Sequence, residues 1–133
     1  MTRSSWPCRA LVLLVLLPLA GCRGSVTPPG PTDEAAARER LIEALDAWRE
    51  GRKPADLAAS ASPPIYVADE DWAAGAGLVR FRAEAGPGTA HGPGVRFPVA
   101  LELRDPAGRN RTKNVVYEVA IDRTVSVARL DMP

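Results

Sequence analysis

The chain reads as an α+β domain, one N-terminal helix packed on a curved antiparallel meander sheet of three to five strands. Three observations predict it. Apolar residues recur at helical spacing between Thr32 and Glu50. From Leu78 onward the period switches to two, which is the signature of half-buried strands. Gly- and Pro-rich stretches cut that second half into strand-length pieces.

The helix comes first. Thr32 or Asp33 can cap its N-terminus, Pro31 stands just outside, and Glu34 lies in the first turn, where the helix dipole favours an anion. Leu41, Leu45 and Trp48 fall on one stripe with Ile42 beside them, and Ala37 and Ala44 continue it. Burying the four large side chains is worth about 8 kcal/mol before entropy, so the helix needs a partner surface. Glu34 and Arg38 form an i,i+4 pair, Gly51 suits the C′ position, and Pro54 stops the helix from resuming. Residues 52–64 read as a loop with one helical turn at Pro54–Ala59. Ile65-Tyr66-Val67 reads as a short edge strand, and Asp69-Glu70-Asp71-Trp72 opens a second helical turn closed by Gly75 or Gly77.

Four strands follow. In 78–84, Val79, Phe81 and Ala83 share one face. In 95–104 that face carries Val95, Phe97, Val99, Leu101 and Leu103; in 112–121, Val115, Tyr117, Val119 and Ile121; in 124–130, Val125 and Val127. Pro98 cannot donate to a ladder and marks a bulge or an unpaired edge position. Ala85–Gly94 reads as a long irregular loop, Asp105-Pro106-Ala107-Gly108 as a type I turn, and Asp122-Arg123 as a tight hairpin.

Composition narrows the function classes. The 133 residues carry 17 basic and 16 acidic side chains, so no net field favours nucleic acid. Of the two cysteines, Cys8 falls within residues 1–21, which read as a removable signal, and that leaves Cys22 with no disulfide partner and no Cys-based metal site. His91 is the one histidine and sits among glycines and prolines, a poor frame for a general base. No nucleophile elbow, zinc-protease helix, phosphate loop or C-x-x-C is present, so neither catalytic residues, a metal site nor a cofactor is expected.

The N-terminus carries the most specific signal. Arg3 and Arg9 precede the unbroken apolar run Ala10–Leu17, which is shorter than the roughly 20 residues that span a bilayer. It fits the core of a secretory signal, with Pro18 near its end. Leu19-Ala20-Gly21-Cys22 then resembles the lipobox of bacterial lipoproteins: a Leu, two small residues and a Cys. The resemblance implies cleavage between Gly21 and Cys22, a diacylglyceryl group on the Cys22 thiol and acylation of the new amine. Two or three chains hold a protein firmly to a membrane where one binds marginally. The resemblance also implies a destination: in enteric lipoproteins an Asp after the cysteine favours inner-membrane retention, so Arg23 there points to the outer membrane. Residues 1–21 are thus expected to be a signal peptide, 22–31 a lipidated Pro/Gly-rich tether, and 32–133 a single domain. The tether, extended like polyproline, reaches roughly 25–30 Å.

The helix-first order followed by a long-stranded meander is similar to the cystatin-like or NTF2-like class, whose cones can enclose a ligand pocket. The primary expectation is a non-catalytic envelope lipoprotein, its membrane partner reached through Cys22 and an envelope protein contacted near Tyr66 and Trp72. An alternative is a small-ligand binder or cone-type enzyme with Tyr66, Asp69 and Tyr117 in a pocket. Another is an inhibitor of an envelope hydrolase, plugging it with the Ala85–Gly94 loop. Asp69, Glu70 and Asp71 form the densest acidic cluster and read as a helix cap rather than a calcium loop. Arg104, Arg109, Arg111 and Lys113 read as a solvated basic face.

Overall fold

The computed structural model describes residues 30–131; the expected signal, Gly21, Cys22 and most of the tether lie outside them. The described chain is α+β, with a curled mixed sheet forming a half-barrel. The elements are α1 (Glu34–Arg49), α2 (Pro54–Ser60), β1 (Ile65–Ala68), α3 (Glu70–Ala73), β2 (Gly77–Ala83), β3 (Thr89–His91), β4 (Gly94–Arg104), β5 (Asn110–Ile121) and β6 (Val125–Leu130).

Helix α1 starts where its capping chemistry puts it. The Asp33 carboxylate accepts from the Ala36 N–H at 2.9 Å, satisfying one of the orphan donors of the first turn. Gly51 takes the left-handed conformation that ends the helix, at φ 84°. The buried stripe is Ala37, Leu41, Ala44, Leu45, Ala47 and Trp48. Ile42 is 38% exposed, so three of the four expected large side chains carry the burial. The helix packs against β2, β5, β4 and β6 and covers the hollow of the sheet.

The sheet departs from a pure meander. Its order is β1-β6-β5-β4-β2, with β3 also pairing β4, which makes six strands where three to five were expected. β4, β5 and β6 form the antiparallel meander, but β1 joins β6 in parallel. The reason is side-chain matching. Ile65 and Val67 pair in register with Val125 and Val127, so the inward apolar faces of both strands align. No local pattern reveals a partner sixty positions away.

Two further expectations are corrected. A register shift between Leu78 and Arg80 turns Leu78 into the core and leaves Val79 39% exposed. The extra residue of a bulge inverts the alternation that sequence reading extends unbroken. The Ala85–Gly94 segment is not an open loop, because Thr89–His91 pairs with Gly94–Arg96 as a hairpin. Helix α1 also holds it: Arg38 donates to the carbonyls of Glu84 and Gly86, and the Gly88 N–H donates to the Glu34 carboxylate at 2.8 Å. A Cβ on Gly88 would stand 2.5 Å from Val95 Cγ1 and 2.6 Å from Phe97 Cε1, so glycine is what lets this segment close down on the core.

Pro98 sits where a missing donor costs nothing. It pairs with Val116 of β5, while its carbonyl accepts from Glu84 just past the end of β2. Its nitrogen therefore faces the gap between β2 and β3. The Asp105–Gly108 turn closes as read, with the Gly108 N–H on the Asp105 carbonyl at 2.9 Å and Gly108 at φ 85°.

Candidate functional site

The densest chemistry lies at one end of the half-barrel, where α3 meets the inward faces of β5 and β6. Helix α3 begins as the acidic run predicts. Asp69 Oδ1 accepts from the backbone N–H groups of Asp71 and Trp72, at 2.9 and 3.0 Å. This cap also fixes the carboxylate in place, 6% of the residue being exposed. Asp69 Oδ2 accepts from the Tyr117 hydroxyl at 2.5 Å, and Arg129 reaches Oδ1 at 3.2 Å.

Asp71 is held as tightly. Arg129 donates to its Oδ2 at 2.5 Å and Lys113 to the same oxygen at 2.7 Å, while Arg111 pairs with Oδ1. Arg129 also pairs with Glu70, so three acids and three bases converge around one phenol. The Arg129 side chain is only 4% exposed. No buried side-chain polar atom among the described residues lacks a partner. A buried charge that is paired and fully hydrogen-bonded avoids the several kcal/mol its isolation would cost.

The electrostatics follow from this packing. Burial pushes the Tyr117 phenol far above its ordinary range, and the Asp69 charge and hydrogen bond push the same way. Burial raises Asp71, but the hydrogen bonds from Lys113 and Arg129 and their charges outweigh it and hold the carboxyl below its usual 3.8. Arg129 is held above its ordinary range: burial opposes its charge, and the carboxylates of Asp71, Asp69 and Glu70 outweigh that.

A pH dependence follows. Asp71 titrates lower folded than unfolded, so its stabilisation is complete above its unfolded value near 3.8 and is lost as pH falls through the folded value. Glu118, lowered mainly by the hydrogen bond from Arg96, acts in the same direction. Urea midpoints should change little between pH 7 and 5 and fall steeply below about pH 4. Asp71→Asn should be less stable at pH 7 but lose less on acidification. An unchanged acid slope in that variant would contradict the assignment.

The nominated residues fall apart spatially. Along β1 the side chains alternate, so Ile65 turns inward and Tyr66 outward, 54% exposed. Trp72 is 6% exposed and stacks on Trp48 with ring centroids 5.0 Å apart and planes 3° from parallel. Tyr66 and Trp72 therefore do not share one open contact surface. The reason is that Trp72 has an aromatic partner inside, whereas Tyr66 lies on the outer face of the sheet. Asp69 and Tyr117 do meet, but they bind each other, and Tyr66 does not join them.

Arg129 and the pairing of Arg111 and Lys113 escaped the sequence reading. The signal was present: Arg129 follows Val125 and Val127 on the inward face of β6, and Arg111 and Lys113 precede Val115 and Tyr117 on that of β5. A cation on an apolar face requires a buried acid. The register places Arg129 opposite Tyr117. His91 lies on the exposed hairpin, with Nδ1 3.0 Å from Glu118 Oε2 and Arg96 nearby.

The arrangement ties α3 to β5 and β6 through ion pairs and hydrogen bonds. Its acceptors and donors are spent on one another, and its product is a fixed α3 that carries Trp72 against Trp48. No protein-family model, curated protein or solved structure matches the chain.

Proposed function

We propose that this chain is a lipid-anchored lipoprotein of the bacterial cell envelope, carrying a small non-catalytic binding domain on a short tether. The observation that carries the reading is Leu19-Ala20-Gly21-Cys22 placed directly behind an unbroken apolar run and two arginines. The run is the right length for a secretory signal and short for a span. The first helix begins at Glu34, which leaves the Pro/Gly-rich segment after Cys22 to act as a spacer. Thr32 supports a fixed exit point: its hydroxyl donates to the Pro93 carbonyl at 2.5 Å and accepts from the Ile121 N–H at 3.0 Å.

The non-catalytic half of the reading rests on the spent chemistry of the buried cluster. The helix-first order and the curled sheet under α1 support a likeness to the NTF2-like class. Arg23 favours the outer membrane as the destination.

The test is fractionation of a bacterium expressing the full chain. The wild type should sediment with membranes and partition into a detergent phase. Cys22→Ser should lose at least tenfold of that membrane-bound fraction, as removal of all acyl chains predicts. Equal membrane association of the two forms would contradict the anchor.

A further inference from the structure

The half-barrel leaves β2 as the last strand on one side, so no strand pairs with its outer edge. The Glu84 N–H donates to the Pro98 carbonyl at 3.1 Å, and Ala83 stands opposite Val99. Peptide groups alternate in direction along an antiparallel strand, so those of Ala83 and Phe81 point away from β4. They offer N–H donors and carbonyl acceptors in a row that an extended backbone matches. β1 ends the other side of the sheet, but it is four residues long and its Ile65 is fully buried.

An apolar seam runs beside the β2 edge. Arg38, Ile42, Leu45 and Arg49 are spaced to share one face of α1. Both ends of that stripe touch the β2 region: Arg38 donates to the Glu84 carbonyl at 2.9 Å, and the Arg49 guanidinium lies 5.8 Å from the centre of the Phe81 ring. Ile42 lies between these two points and is 38% exposed. Phe81 and Ala83 are only partly buried, and Val79, at the bulge, is exposed. Of the three large apolar side chains exposed among the described residues, two therefore belong to this seam and its edge strand.

Charge decides which strand fits. Arg80 and Arg82 stand opposite Glu102 and Ala100, on the face of β2 away from Phe81 and Ala83. Arg80 pairs with Glu102 while its side chain stays 78% exposed, and no carboxylate pairs with Arg82 among the described residues. The small Ala100 side chain leaves a surface hollow of about 370 Å³ beside both arginines. A second copy fits poorly: two β2 strands paired antiparallel about Phe81 would set Arg80 against Arg82, and like charges across a sheet repel. The tether fits no better, since residues 23–29 hold one arginine, two prolines and no acid.

We propose that β2 is a docking edge for an extended acidic segment of a partner protein, which adds to the sheet as a further strand. Every second residue of the segment is acidic and meets Arg80 and Arg82 on the outer face. The residues between are apolar and close the seam over Ile42, Phe81 and Ala83. The inference rests on the binding half of the proposed function and gives it a partner class. It makes no use of the Cys22 anchor, so either can fail alone.

The test titrates the full chain, held in a neutral detergent, with the capped octapeptide Glu-Val-Glu-Val-Glu-Val-Glu-Val. Calorimetry and exchange of the Phe81 and Ala83 amide protons are the readouts. Saturable binding that slows exchange of both amides at least tenfold is expected. A peptide of the same composition with its four glutamates in one block should bind at least tenfold more weakly, as should a Lys-Val alternation. Ala83→Pro removes one free-edge donor and should weaken binding at least tenfold. Arg80→Glu/Arg82→Glu changes two exposed side chains, keeps the test open if the proline variant fails to fold, and should reverse the preference toward the Lys-Val peptide. Absence of saturable binding, equal affinity for alternating and blocked peptides, or an unchanged preference in the charge-reversed variant would overturn the proposal. Protection of both amides by self-association without peptide would put a second copy on the edge and overturn it as well.

Discussion

Replacing Arg129 with leucine should destabilise the domain by about 3–5 kcal/mol, the usual cost of removing one partner from a buried ion pair. The guanidinium serves Asp69, Asp71 and Glu70 together, and its side chain is 4% exposed. Its loss leaves the Asp69 carboxylate buried, with the Tyr117 hydroxyl and two backbone N–H groups as remaining donors. For a domain of this size the midpoint of thermal unfolding should fall by roughly 15 °C or more. Adding Asp69→Asn to Arg129→Leu should recover part of the loss, because the uncompensated charge disappears with it. A drop below about 1 kcal/mol would mean the cluster behaves like an exposed ion pair. The same experiment reads position as well as energy, since weakening α3 should loosen Trp72 from Trp48.

Trp48→Ala should cost a comparable amount, about 3–5 kcal/mol, by cavity formation in the core. The residue is 2% exposed, stacks on Trp72 and donates to the Ala76 carbonyl. Truncation removes the largest side chain of α1, the facing ring of the stack and the donor of a buried hydrogen bond. Trp48→Phe keeps a ring in the stack and loses the N–H, so it should cost less, about 1–3 kcal/mol. Urea denaturation of both variants separates packing from hydrogen bonding. Equal losses in the two would place the cost on the hydrogen bond and contradict the stacking account.

The two variants bracket what the sequence displays and what it conceals. Trp48 was legible, because helical period three-to-four placed it on the stripe with Leu41 and Leu45. The cap at Asp33, the stop at Gly51, the turn at Asp105–Gly108 and the inward faces of β4, β5 and β6 were legible for the same reason: each depends on residues close in the chain. The parallel pairing of β1 with β6 was not, since it is decided by Ile65 and Val67 meeting Val125 and Val127 across the fold. The bulge before Arg80 was not, since one inserted residue leaves no mark on composition.

The site shows the same division. The capping role of Asp69 is local and was legible, and its hydrogen bonds to the Asp71 and Trp72 N–H groups match that reading. The second role of the same carboxylate depends on Tyr117 and Arg129, more than forty residues away. Extending strict alternation one step further along β6 would have put Arg129 inside and called for an acid there. Tyr66 and Trp72 belong to one stretch that reads as an exposed apolar patch, yet Tyr66 is exposed on the outer face of β1 while Trp72 is buried inside.

The anchor is the central claim, and the mass of the N-terminal peptide tests it most directly. The full chain is expressed in a bacterium, recovered from its membranes and digested. The account predicts that the mature N-terminus is Cys22, carrying the mass of a diacylglyceryl thioether and of an acyl group on its amine. A chain that begins elsewhere, or that begins at Cys22 with a free thiol, would contradict it.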